Sequence, residues 1–218
     1  MEYVLQLVSI ILINLLLSGD NALVIALASR NLPVYQQEKA MLWGCVGAIS
    51  LRITLTFVAV FLLTIPYLQM AAGILLLWIA VKLVADHKDG ERLAGKRSLG
   101  GVIKTIITAD FVMSIDNVIA IIGAAKGNLV LLVLGIVISI PIIIWGSKFI
   151  CVIMQKWPFV IIVGSFFLGW TAAQMIVSDP QAVLLLGSYS NLETIISAFL
   201  GIMVVVIGKI MANRGRNC

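Results

Sequence analysis

The chain has 218 residues, 61% of them hydrophobic and 11% charged, with a mean hydropathy of +1.13. That balance excludes a soluble globular domain, and the formal net charge of +5 does not point to nucleic acid, because the basic residues sit mostly in connections between apolar runs. Cys45, Cys151 and Cys218 are scattered and odd in number, and His87 is the single histidine, so neither a disulfide framework nor a His- or thiolate-based metal site is expected.

Apolar runs long enough to cross a bilayer recur along the whole chain. They predict an all-α membrane protein with seven transmembrane helices, at roughly 3–29, 40–64, 66–86, 101–125, 128–150, 157–178 and 192–211. Breaks fall at Arg30–Lys39 with Pro33, at Ile65-Pro66, in the polar stretch 86–101, at Lys126-Gly127-Asn128, at Lys156-Trp157-Pro158 and at Ser178-Asp179-Pro180. The N-terminus lacks a basic leader and is read as a retained span. Basic residues mark alternate connections: Arg30 and Lys39, then Lys88, Arg92, Lys96, Arg97 and Lys104, then Lys148 and Lys156, and finally Lys209, Arg214 and Arg216. With only Lys126 in the intervening connections, the positive-inside rule puts the N-terminus outside and the C-terminus in the cytoplasm of a multi-pass cell-membrane protein.

Two stretches share the pattern Asn/Asp-x-x-x-Ser-x-Asp-Asn: Asn14 to Asn21 and Asp110 to Asn117. The third and sixth helices share Trp-x-Ala, at Trp78 to Ala80 and Trp170 to Ala172. The expected architecture is therefore one transporter domain, 1–218, made of two inverted three-helix repeats (3–86 and 101–178), a cytoplasmic loop at 87–100 and a seventh helix at 192–211. An odd number of spans per repeat forces the second copy to enter the membrane from the other side.

At 100° per residue Asn14, Ser18 and Asn21 lie within about 60° of one another, and Asp110, Ser114 and Asn117 repeat that face. Asp20 and Asp116 fall about 120° from Asn14 and Asp110. Local unwinding at Gly19 offers one way to turn Asp20 inward, whereas Ile115 holds the matching place in the second copy. A charge at the centre of a membrane helix costs roughly 2.5–3.5 kcal/mol, so three aspartates there imply a function rather than packing. Arg52, midway along the second helix, is expected to pair with one of them. If all are ionised, three carboxylates and one guanidinium leave −2, which a divalent cation balances. Asp, Asn and Ser oxygens suit Mn²⁺, Mg²⁺ or Ca²⁺. Lys82 is a second charge-balancing candidate, near enough to a helix end to snorkel. Met113 reads as packing, Pro141 as a kink in the fifth helix, Gly44, Gly47, Gly73, Gly164 and Gly169 as points of close helix approach, and Tyr3, Tyr67 and Trp157 as interfacial anchors.

At Ser18-Gly19-Asp20-Asn21 and Ser114-Ile115-Asp116-Asn117, with Arg52 in Leu51-Arg52-Ile53 and Lys82 in Ala80-Val81-Lys82-Leu83, the chain resembles the TerC family of integral membrane proteins, and most of all its short bacillus-type members. The resemblance runs over nearly all seven spans. It implies an exporter of divalent metal, chiefly Mn²⁺, within the LysE-like transporter group, with the ion site at Asp20, Asn21, Asp110, Asp116 and Asn117. Asn14 stands where the second copy has Asp110, so the halves are not chemically equal. The full expected ligand set is Asp20, Asp110 and Asp116 with Asn14, Asn21, Asn117, Ser18 and Ser114. The expected mechanism is secondary transport by alternating access, in exchange for protons and without a prosthetic group. Two rivals remain: a non-transporting membrane partner of the secretory machinery that assists metallation or folding of exported proteins, and a LysE-like exporter of cationic amino acids. No nucleophile–base pair marks an enzyme, and association into a homo-oligomer is left open.

Overall fold

The computed structural model describes residues 2–62, 65–85, 98–125, 128–186 and 190–214. His87, Lys88, Arg92, Lys96 and Arg97 of the sequence-predicted loop, the predicted break at Lys126-Gly127, and Arg216 and Cys218 lie outside the described residues, as does the side chain of Tyr3.

Among the described residues the chain is all helix: α1 (Glu2–Leu16), α2 (Gly19–Ser29), α3 (Val34–Leu62), α4 (Leu68–Ala85), α5 (Leu99–Ala125), α6 (Leu129–Lys156), α7 (Phe159–Val177), α8 (Pro180–Leu186) and α9 (Ser190–Arg214). With no water to bond the backbone in lipid, this is the solution such composition demands. Five of the helices are long and apolar enough to cross a membrane, or six spans when α1 and α2 count as one broken span. The remaining sequence-predicted span falls on α5, whose 27 residues extend for about 40 Å. Large apolar side chains, among them Phe57, Trp78, Trp145, Phe149, Phe167 and Phe199, point outward. A soluble protein does not tolerate so wide an apolar surface; this is a multi-pass integral membrane protein.

Two details depart from the sequence reading. The first predicted helix is broken into two pieces, bent by 49° between Leu16 and Gly19. Gly19 lacks the side chain that favours helix, and the turn tightens as Ser18 donates to the Leu15 carbonyl at 3.2 Å. The stretch after Ser178 holds a short helix, α8. Asp179 caps it, its Oδ1 accepting from the Gln181 N–H at 2.9 Å, with Pro180 in the first helical position. The buried Asp179 also accepts from the Met70 N–H at 3.2 Å, tying the start of α4 to the same carboxylate. Pro141 lies inside α6, whose helix continues past it: one missing backbone donor costs less than exposing the rest of a turn to lipid.

Helix pairing follows the small residues. α3 lies along α5, α4 along α7, α1 and α2 against α6, and α9 against α7 and α4. A methyl group added at Gly73 meets the Ala172 carbonyl oxygen at 2.6 Å, and one at Gly169 meets the Gly201 Cα at 2.8 Å, so both glycines set backbone-to-backbone approach. Gly44 and Gly164 seat Ile106 and Leu23 in the same manner, and Gly47 seats Ile107. Ala80 and Ala172, the matched alanines of the Trp-x-Ala pattern, are fully buried in this core. Tyr67 and Trp157 are half-exposed at helix ends.

Gly169→Val should therefore lower the thermal midpoint in detergent, in line with a cost of about 1–3 kcal/mol for an overpacked contact. Gly146→Ala, where nothing lies within 4 Å of the added atom, should not. Differential scanning fluorimetry on the two variants checks the contrast.

Candidate functional site

Arg52 projects from the middle of α3 into the interior and is only 3% exposed. A guanidinium there needs an acceptor for each face of its fork. Nη1 donates to Asn14 Oδ1 at 2.8 Å and to Ser18 Oγ at 3.3 Å. Nη2 donates to Asp110 Oδ1 at 2.8 Å, and Nε to Ser114 Oγ at 3.1 Å. Ser114 Oγ in turn donates to Asp110 Oδ2 at 3.2 Å. Asn14 and Ser18 occupy the same motif positions as Asp110 and Ser114. The two copies of the motif thus converge on one guanidinium, one copy on each side.

The remaining motif residues divide. Asn21 is 4% exposed, and neither atom of its amide has a hydrogen-bond partner; Asn14 Nδ2 is likewise unpartnered. Buried amides left in that state each cost about 1–3 kcal/mol. Both line a small cavity together with Arg52, Asp110 and Cys45, closed by Ile25, Ile136, Ile140 and Ile143. About 20 Å³ is free there for the centre of a water-sized sphere, room for one water or one small ion. Asn117 serves the helix break instead: its Nδ2 donates to the Leu17 carbonyl at 3.2 Å, satisfying an acceptor that the interrupted helix leaves free.

Asp20 is half-buried in the first turn of α2. Its Oδ1 accepts the Asn21 N–H at 2.9 Å, a place where the positive end of the helix favours a carboxylate. It lies close enough to Arg52 and Asp110 to feel both charges, but it is not one of the Arg52 acceptors. The Asp116 side chain lies outside the described residues. Lys82 stands over the exposed Trp78 ring, its nitrogen 5.0 Å from the centroid, and makes no bond to the cluster. Among the described residues no three His, Cys, Asp or Glu side chains gather closely enough to hold a metal by themselves; any ion here draws on amides and hydroxyls as well.

Three side chains escape the sequence reading. Cys45, one of three scattered cysteines in the sequence, borders the cavity. The signal was its spacing, since seven residues before Arg52 is two helical turns and the same face. Arg30, taken as a charge marking a connection, is buried, and its Nη2 donates to the Leu83 carbonyl at 2.8 Å. There it caps the last turn of α4, where a cation is favoured. Lys148, another such charge, pairs with Glu38 at 2.9 Å across α3 and α6 at an exposed site.

The profile described as "Integral membrane protein TerC family" matches residues 1–216. The chain belongs to the TerC family. Among relatives, it is 42% identical over 209 residues to "Uncharacterized membrane protein YjbE" of Bacillus subtilis, covering 96% of this chain and 95% of that one. It is 24% identical to YceF of the same organism, over 69% of this chain and 62% of YceF. To the inner membrane protein YgdQ of Escherichia coli it is 25% identical, over 75% of this chain and 76% of the other. The resemblance to short bacillus-type TerC proteins therefore holds along the chain. No solved structure matches it.

For this TerC protein the ion pair should behave as buried pairs do. Arg52→Met leaves Asp110 buried and uncompensated, at a cost of about 3–5 kcal/mol. The double variant Arg52→Met/Asp110→Leu should recover much of that loss. Thermal midpoints of the two singles and the double, in one detergent, measure the coupling; additive losses would refute it.

Proposed function

We propose that this TerC protein is a secondary transporter that exports divalent cations, Mn²⁺ foremost, from the cytoplasm by alternating access in exchange for protons. The observation that carries the reading is the convergence of both motif copies on Arg52 beside a cavity with unpartnered amide groups. In the ion-free state the guanidinium acts as a resident cation. Asp110 is its counter-ion, and Asn14, Ser18 and Ser114 complete its shell. Asp20 and Asp116 then supply the −2 that a dication balances. When the ion arrives, Asp110 and the amides of Asn14 and Asn21 exchange Arg52 for it, with Asn117 holding the broken helix in register.

Seven spans in two inverted repeats fit the same reading. Exchanging the halves turns the α1–α6 pairing into α5–α3 and returns α4–α7 to itself, and each of these pairings is present. A broken first span at the repeat interface is a recurrent carrier device. The broken copy carries Gly19 and the continuous one Ile115, so the two sides of the site need not open alike. The basic connections favour an external N-terminus and a cytoplasmic C-terminus in the cell membrane. The chain performs no catalysis in this account and binds its metal as cargo.

Transport assays in inside-out vesicles test it. Asp110→Asn and Asp116→Asn should each cut the initial rate of Mn²⁺ uptake by about tenfold or more while the protein stays in the membrane, because each removes a charge the dication needs. Collapsing the pH gradient should slow the wild type, and excess lysine should not compete. Undiminished Mn²⁺ movement in both variants contradicts the reading, and competition by lysine points to cationic amino-acid export instead.

A further inference from the structure

The cavity beside Arg52 is not lined by oxygen donors alone. Cys45, a free buried thiol, faces the same small space as Asp110, Asn14 and Asn21. A lone buried cysteine is ordinarily packing. Here a second observation points to a ligand: the Asn21 amide, 4% exposed and bordering the same cavity, has neither its nitrogen nor its oxygen bonded. The Asn14 nitrogen beside it is unbonded as well. A cysteine that served only as filler would sit among satisfied or apolar neighbours. This one shares a cavity with a carboxylate and two amides that have bonding capacity to spare.

We propose that Cys45 is a specificity-determining ligand of the cargo site, admitting thiophilic divalent cations such as Cd²⁺ alongside hard ones. The proposal rests on the transport reading above and adds to it a donor that widens the range of cargo. Hard dications take the oxygens of Asp110, Asn14 and Asn21. A softer dication of similar charge gains a sulfur bond at the same place, because thiolate ligands select soft metals over Mn²⁺, Mg²⁺ and Ca²⁺. Binding replaces the S–H proton with the metal, and that proton leaves to water. The cavity's size, enough for one water-sized occupant, requires the ion to arrive stripped of most of its shell, which raises the weight of each protein donor.

The full chain, purified in detergent, is titrated separately with CdCl₂ and MnCl₂ by calorimetry. Wild type should bind both, and Cys45→Ser should lower the ratio of Cd²⁺ to Mn²⁺ affinity by about tenfold or more. Cys151→Ser, whose sulfur lies in a different cavity between α3 and α6, should leave the ratio unaltered. A second measurement does not depend on Cys45→Ser folding. The Cys151→Ser/Cys218→Ser variant keeps Cys45 as its sole thiol, and Cd²⁺ should give it the ultraviolet charge-transfer band of a cadmium–sulfur bond. An unchanged affinity ratio, or no such band, overturns the role of Cys45. Failure of both metals to bind the wild type instead overturns the cargo site itself, so the two failures are distinct.

Discussion

A guanidinium held in the middle of an apolar bundle is the constraint from which the rest of this structure follows. It cannot shed its charge, and α3 places it too far from either surface to reach water. Its acceptors must therefore come from neighbouring helices. They come in equal measure from α1 with its break and from α5, at matched positions of a duplicated motif. One side contributes a carboxylate and the other a carboxamide, so the pair of halves neutralises Arg52 once and not twice. A symmetric pair of aspartates would leave an excess negative charge even with the guanidinium in place. The Asn14/Asp110 difference keeps the closed cluster neutral, while Asp20 stands close by at the head of α2.

The break between α1 and α2 is the second consequence of putting polar chemistry in lipid. Interrupting a helix frees carbonyls and N–H groups that only protein can satisfy at that depth. Asn117 takes the Leu17 carbonyl, Ser18 turns back to Leu15, and Asp20 accepts the neighbouring Asn21 N–H. Motif residues that look alike in sequence thus do different work. In the first copy Asn21 borders the cavity, while its counterpart Asn117 braces the break.

Much of this was legible in the chain. Hydropathy fixed the helices, and Pro33, Pro66 and Pro158 marked their ends. The depth of Arg52 demanded an acid, and Asp110 provides it. Five glycines read as contact points are contact points. What escaped did so for physical reasons. Helical periodicity assumes a straight cylinder, so it could not carry Asp20 across a 49° bend. Arg30 and Lys148 read in the sequence as charges flanking connections, because positive-inside statistics sum charges without asking what each touches, whereas Arg30 caps α4 from within. Lys82 reads in the sequence both as a balancing charge and as a side chain able to snorkel, and its nitrogen lies over the exposed Trp78 ring. Cys45 was judged against the other cysteines and not against Arg52, two turns away on its own helix.

The central claim is that the dication takes the place that the Arg52 guanidinium holds in this structure. Its position can be seen directly: a structure determined with Mn²⁺ present, with anomalous scattering collected at the manganese edge. The account predicts one peak within coordination distance of Asp110 and the Asn21 amide, with the Arg52 side chain turned away from Asp110. Manganese found only at the protein surface, with the Arg52–Asp110 pair intact, would contradict it.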